Sequence, residues 1–242
     1  MRGADIRSSA AVEERHWWYR ERRALLAREL RRRHAEPGRR AIEIGAAGGG
    51  NSLVMRDFGY DVLATEYLPE GVEIARARGL DAIQADARDL PVESASRDLL
   101  VAFDVLEHIG EDDRAAAEIH RVLRPGGTVL IAVPADMRLW SVFDELSGHV
   151  RRYDRAGLTA LITDAGLRVD ALWSWNVLLR PAVALRRTTT VRPSSEATLR
   201  HDVTAVHPLV NALLGGVVRL ERHLPVGRLP GVSLFLRAHK PF

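Results

Sequence analysis

The sequence predicts an α/β protein built on a doubly wound, Rossmann-like sheet, with a helix ahead of it and a helical insertion before its last strand. Three observations carry that expectation. A short apolar run, Ala41-Ile42-Glu43-Ile44, passes into the small residues Gly45-Ala46-Ala47-Gly48-Gly49-Gly50 and then into a helical pattern from Ser52, the order of strand, tight turn and helix N-terminus. Apolar runs of strand length then alternate with helical stretches closing on Gly59, Gly79 and Gly166, as successive βα units do. The run Asp98-Leu99-Leu100-Val101-Ala102-Phe103 is apolar almost throughout, which suits a strand covered on both faces.

At 242 residues the chain can form one α/β domain with a large core. It has no cysteine, which excludes disulfides, thiolate zinc sites and cysteine nucleophiles. No stretch is long and apolar enough to span a bilayer, and Met1-Arg2-Gly3-Ala4-Asp5 lacks the apolar core of a secretory signal, so a cytoplasmic location is expected. The formal net charge is only +3, and nearly every base is an arginine. Arginines cluster at Arg20, Arg22, Arg23, Arg28, Arg31, Arg32 and Arg33; a solvated helix face is favoured over a patch for phosphate or acidic lipid.

Residues 1–11 read as disordered, and Val12 to His34 as one helix ended by Glu36-Pro37-Gly38. Within it, His16-Trp17-Trp18-Tyr19 is unusual for a surface helix, because aromatics of that size seek burial or a ligand. They read as an anchor onto the domain or as a lid over the active site. In the second case His16 and Tyr19 face substrate.

The glycine turn reads E-x-G-x-A-x-G over residues 43–49 rather than G-x-G-x-x-G. The strand Asp61 to Glu66 ends on an acid 21 positions beyond Gly45, the distance at which α/β nucleotide sites set a carboxylate on ribose hydroxyls. A helix from Pro69 to Arg78 and a strand Asp81 to Gln84 lead to Asp86, which by itself reads equally as a turn residue or an N-cap. Phe103 is followed by Asp104-Val105-Leu106-Glu107-His108, at the carboxyl end of a strand where open α/β sheets bind ligands. His108 is a candidate base; Asp104, Glu107 and His108 suit a hard cation; ordering of the loop by Glu107 and His108 is the favoured reading, with no metal.

A helix from Glu111 to Leu123 stops at Arg124-Pro125-Gly126-Gly127, and the strand Thr128 to Pro134 follows. Residues 135–153 mix ionisable and aromatic side chains beyond a strand end, the place to seek acid/base groups. His149 is the leading catalytic base there, followed by His108. Trp140, Arg152 and Tyr153 are substrate-facing candidates, although at least one of Arg152 and Tyr153 is expected to hold the loop to Asp144 instead. After a helix at 154–165 and a strand Leu167 to Trp175, an insertion of roughly 55 residues precedes the last strand, Val232 to His239. It holds an apolar segment from Val177 to Leu185, a polar stretch of about Arg186 to Arg200 read as mobile, and a helical stretch of about Val203 to Arg222. An apolar helix pair outside a complete sheet must be covered, by a substrate pocket, a second copy or a membrane-borne substrate, in that order.

Four segments in this order, E-x-G-x-A-x-G, the Asp86 loop, D-V-L-E-H and L-R-P-G-G-T-V-L-I, resemble the class I S-adenosylmethionine (SAM) dependent methyltransferases, above all the ubiquinone-biosynthesis-like small-molecule subgroup. Ala47 departs from their usual middle glycine. The resemblance implies a seven-stranded sheet with an antiparallel last strand, and SAM as the methyl donor yielding S-adenosylhomocysteine. It assigns Glu43, Gly45, Ala47, Gly49, Glu66, Tyr67, Asp86, Ala87, Phe103 and Asp104 to the cofactor. The expected division is a lid at 1–37, a core at 38–175, an insertion at 176–230 and the last strand at 231–242. O-methylation of a small metabolite, a natural product or a sugar, is the expected reaction. N-methylation and a cyclase-like or non-catalytic SAM-fold protein are the alternatives. No nucleic-acid partner and no stable membrane insertion are expected; a homodimer is left open.

Overall fold

The computed structural model describes residues 3–32, 38–189 and 206–242. Its centre is a seven-stranded sheet of order β3-β2-β1-β4-β5-β7-β6. The strands are β1 (Arg40–Ile44), β2 (Asp61–Glu66), β3 (Asp81–Gln84), β4 (Arg97–Phe103), β5 (Leu123–Pro134), β6 (Arg168–Trp175) and β7 (Ser233–His239). The first five pair in parallel, and β7 runs antiparallel between β5 and β6. Chain order reverses between β1 and β4, so their carboxyl ends open a crevice.

Alternate residues of each central strand serve opposite layers, because successive side chains leave opposite faces of a sheet. Ile42, Leu100, Val129, Ile131 and Leu236 pack against Ala115 and Ile119 of α5 (Asp112–Val122) and Leu158 and Ile162 of α7 (Arg155–Asp164). Ala41, Leu99, Val101, Leu130 and Phe235 pack on the other face against Leu25, Leu26 and Leu30 of α2 (Trp17–Arg31) and Met55 of α3 (Gly50–Asp57). A smaller cluster seats α4 (Pro69–Ala77) on β2 and β3 through Val72, Ala75, Ala64 and Ala82.

Four expectations are corrected. The segment read as disordered contains a helix, α1 (Gly3–Val12), whose Ile6 is fully buried. The single helix expected from Val12 to His34 is two helices, because the Nδ1 of His16 accepts the Trp18 N–H and starts α2 afresh as an N-cap. The helix does stop ahead of R-P-G-G, at Val122, but β5 begins at Leu123 rather than Thr128: Arg97 pairs with Leu123 and Leu99 with Thr128, so residues 124–127 loop out as a bulge, with Gly126 at φ +76°. The arginines of α2 do not share the one solvated face expected of them, since Arg22 is buried and Arg23 and Arg32 bond acids or carbonyls nearby; Arg33 lies outside the described residues. In the insertion, α8 (Arg180–Thr189) and α9 (Pro208–Glu221) are helical, and most of the stretch expected to be mobile lies outside the described residues.

Candidate functional site

The glycine turn takes the left-handed backbone its sequence suggests, with φ +68° at Gly45, +46° at Ala47 and +83° at Gly49. A Cβ on Gly45 would collide with the Val105 side chain, so a residue with no side chain is required there. Glu66 clamps the turn: one carboxylate oxygen accepts the Ala47 N–H at 2.8 Å, and the other accepts those of Tyr67 at 2.9 Å and Leu68 at 3.2 Å. Glu43 is buried behind it, with one oxygen taken by Asn51 at 2.9 Å and the other by the Ser52 hydroxyl at 2.5 Å. Burial raises its pKa to about 7, against the pull of those two hydrogen bonds. Glu43 therefore serves the start of α3, and its two oxygens are already engaged.

The other expected cofactor residues occupy the same crevice edge. Tyr67 is 62% exposed at the end of β2, and Ala87 is buried in the core. Arg88 grips Asp86 through Nε and Nη2 at 3.0 and 2.6 Å, which keeps that carboxyl below its ordinary range. The N-terminal helices cover the turn. Arg78 donates to the Gly48 carbonyl at 2.7 Å and to the Ala10 carbonyl at 3.2 Å and pairs with Glu13, while Arg23 donates to the Glu13 carbonyl.

A feature the sequence reading did not single out lies under that cover. Arg22 is 4% exposed, its guanidinium carbon 4.9 Å from the Trp18 ring, 5.4 Å from those of Trp175 and Phe235 and 5.7 Å from that of Phe103. Its Nη2 donates to Asp104 at 2.5 Å, while Nε and Nη1, and the nearby Trp175 Nε1, have no hydrogen-bond partner. Unpaired buried donors are costly and mark a place where a ligand can bond. Burial raises the pKa of Asp104, and the charge of Arg22 counters it. Tyr19 is held beside this pair, its pKa raised by burial and partly restored by its bond to Ser9. His16 and Tyr19 are thus committed to the cover's own hydrogen bonding rather than presented freely to a substrate. The spacing of Trp18 and Arg22, one helical turn apart, was the available signal.

Across the crevice, residues 106–153 form a polar knot. Asp144, fully buried in α6 (Val142–Ser147), accepts from His149 Nδ1 at 2.9 Å, from Arg152 at 2.7 and 2.8 Å, and from Arg187 of α8 at 2.7 Å. Burial pushes its carboxyl up, but the bonds from His149 and Arg152 and the charges of both arginines outweigh this and leave it well below the usual range. His149 Nε2 lies 4.0 Å from Glu107 Oε1. Glu107 is fully buried, and neither of its oxygens has a hydrogen-bond partner. Burial and the adjacent Asp104 raise its pKa well above the carboxylate range. The His108 ring packs edge-on to His149 with centroids 4.7 Å apart; its Nδ1 meets the Gly148 carbonyl at 3.1 Å, and burial followed by His149 lowers its pKa to about 4. Glu107, His108 and His149 offer ligand atoms within 4.8 Å of one another, close enough to share a cation.

Arg152 holds the loop to Asp144, as expected of at least one of Arg152 and Tyr153, and the substrate-facing reading of both is corrected. Arg152 is buried and spends its donors on Asp144 and the Ala135 carbonyl, and Tyr153 is buried with its hydroxyl donating to Asp112 at 2.7 Å. Both hold the loop, because a buried donor is stable only when paired. Trp140 is half-buried and closes a turn through its N–H to the Met137 carbonyl. Asp144 was expected only as an anchor of the loop and not as the partner of His149, and Arg187 was missed. Asp144 and His149 stand five positions apart, a visible signal; Arg187 reaches Asp144 across 43 residues, and no local pattern shows that.

A methyltransferase-domain family model matches residues 42–131. A Mycolicibacterium smegmatis protein described as a probable SAM-dependent methyltransferase is 30% identical over 168 residues, covering 68% of this chain and 64% of the relative. The chain belongs to the class I SAM-dependent methyltransferases. A ubiquinone biosynthesis O-methyltransferase of Xanthomonas campestris is 33% identical over 107 residues, covering 41% of this chain and 45% of that protein. The chain thus matches less than two thirds of the length of these curated relatives. Among solved structures, the methyltransferase partner of the Haloferax volcanii Trm112 activator superposes with a TM-score of 0.67 at 23% identity, covering 99% of this chain and 96% of that one. That likeness is one of fold. The crevice suits the family's cofactor in its donor set: unpaired Arg22 donors beside Asp104 complement an amino-acid zwitterion, and a bare backbone turn adjoins them.

Proposed function

We propose that the protein transfers a methyl group from SAM to a hydroxyl of a small molecule, with His149 as the base. The observation carrying this reading is the Asp144–His149 pair at 2.9 Å. A carboxylate held ionised at Nδ1 fixes the imidazole tautomer and leaves Nε2 as the proton acceptor. A neutral amine acceptor has little use for such a base, so the pair favours oxygen over nitrogen. Ubiquinone biosynthesis O-methylation, the role named for the Xanthomonas relative, is of the same chemical kind.

Arg22 and Asp104 would hold the amino-acid end of SAM, the turn at 45–49 its backbone-facing side, and Glu66 and Asp86 its hydroxyls and base. The bound cofactor supplies an electrophilic methyl group, so the protein has to position the acceptor and exclude water. His149 Nε2 takes the acceptor's hydroxyl proton, and Asp144 stabilises the imidazolium that results. Glu107, whose carboxyl burial and Asp104 push up, lies 4.0 Å from Nε2. Helices α1 and α2 close the crevice from above through the Glu13–Arg78 pair.

The test pairs calorimetry of SAM binding with S-adenosylhomocysteine release on phenol, catechol and sugar acceptors. His149→Gln is expected to keep its SAM affinity and lose about 10²–10⁴-fold in turnover. Full turnover in that variant removes His149 as base. Failure of the unaltered protein to bind SAM removes the methyl-transfer reading.

A further inference from the structure

Among the described residues, the two helices of the insertion leave one face uncovered, and its composition is one-sided. Helix α9 packs on α2 through Val218 and the close approach of Gly215 to Trp17, and Asn211 locks the contact by accepting the Trp17 N–H at 2.9 Å. Directly opposite, Leu209, Leu213 and Leu220 stand on one side of the helix at 75, 67 and 57% exposure, with Val210 beside them. The turn after α9 adds Leu224 and Leu229, both exposed. This stripe faces away from α2 and the sheet, so among the described residues it does not wall a pocket.

The charges around the stripe choose its occupant. Between residues 206 and 230 the only acid is Glu221, buried and bonded to the Leu178 N–H at 3.0 Å. Arg219 shows 53% of its side chain to solvent while bonding the buried Glu21, and Arg228 and His223 are exposed. No carboxylate is exposed along this segment. Self-association about a two-fold axis would set this basic rim against itself, since such an interface joins identical patches. A surface carrying phosphate charges would neutralise the same rim while the leucines enter its apolar boundary.

We propose that the α9 stripe seats the protein on an anionic lipid bilayer as a peripheral contact. The stripe is continuous through α8 with the proposed acceptor site: Glu221 of α9 holds Leu178 just ahead of α8, and Arg187 of α8 reaches Asp144. A lipid-borne acceptor would then be met at the surface where the enzyme sits. The docking surface stands without the methyl-transfer reading, which is tested separately by SAM binding.

The full chain is sedimented with phosphatidylcholine vesicles and with vesicles containing phosphatidylglycerol, and its mass is measured by light scattering without lipid. Binding to the phosphatidylglycerol vesicles alone, weakened by salt, is expected. Leu213→Asp should abolish it and Arg228→Glu should weaken it by about fivefold or more, both with the melting temperature of the unaltered protein retained as evidence of an intact fold. Leu209→Asp gives an independent exposed position. No vesicle binding by the unaltered chain, equal binding by both aspartate variants, or a lipid-free dimer that these variants split while vesicles are ignored would each overturn the proposal.

Discussion

The two sides of the crevice hold their carboxylates in opposite ways. On the β1–β2 side, Glu66 is satisfied by three backbone N–H groups and Glu43 by two neighbours within nine residues. On the far side, Asp144 is satisfied by charged side chains from two other segments, and the side-chain oxygens of Glu107 have no hydrogen-bond partner among the described residues. Local backbone bonds make a rigid turn that can await a cofactor unchanged. A knot of buried charges is stable only as a whole, and its one unsatisfied member marks where an acceptor can bond.

The largest test of that contrast is Asp144→Ala, which strands Arg152 and Arg187 without their shared anion. It should lower stability by about 3–5 kcal/mol in denaturant unfolding. Asp144→Asn should retain more stability and still lose turnover, since an amide cannot stabilise the imidazolium. A near-neutral Asp144→Ala would show the knot to be loose.

Glu43 tests the rigid side by pH. Its folded pKa of about 7 lies above the model-compound value of 4.5, so the native state holds a proton that the unfolded chain releases between those values. Stability from this group is greatest below about pH 4.5, falls as pH rises to about 7, and then stays level, a loss of about 3 kcal/mol. In Glu43→Gln that decline should vanish, leaving the variant progressively favoured over the unaltered protein across this window. Parallel melting curves for both proteins over the window would refute the raised pKa.

Glu66→Ala should weaken SAM binding by about 1–3 kcal/mol, measured by calorimetry. A drop in melting temperature with unchanged affinity would assign Glu66 to the turn alone. The smallest effect is expected for Ala47→Gly. Relief of a left-handed alanine is offset by the greater freedom of glycine in the unfolded chain, giving a change within about 1 kcal/mol in melting experiments.

Much of the first region was legible because its causes are local. The strand at 40–44, the turn at 45–49 and Glu66 at the end of β2 follow from neighbours in sequence, and they stand where the spacing put them. The α1 segment was misread because its own composition is nearly neutral; tertiary contacts order it, among them the seat of Ile6 and the bond of Arg78 to Ala10 and Gly48. Arg152 and Tyr153 were candidates for the substrate because polar residues after a strand end often face ligand; a loop role was expected for at least one, and burial turned both inward.

From the amino-acid order alone came the parallel α/β core, its glycine turn, the carboxylates at the strand tips and a histidine-bearing loop beyond β5, all governed by periodicity and backbone geometry over a few residues. Tertiary structure alone decided that Arg22 lies in a box of aromatics against Asp104, that Arg187 of the insertion shares Asp144 with His149, and that the leucines of α9 face outward. Those outcomes depend on which distant surfaces meet, since burial and charge pairing across tens of residues leave no periodic trace in the chain.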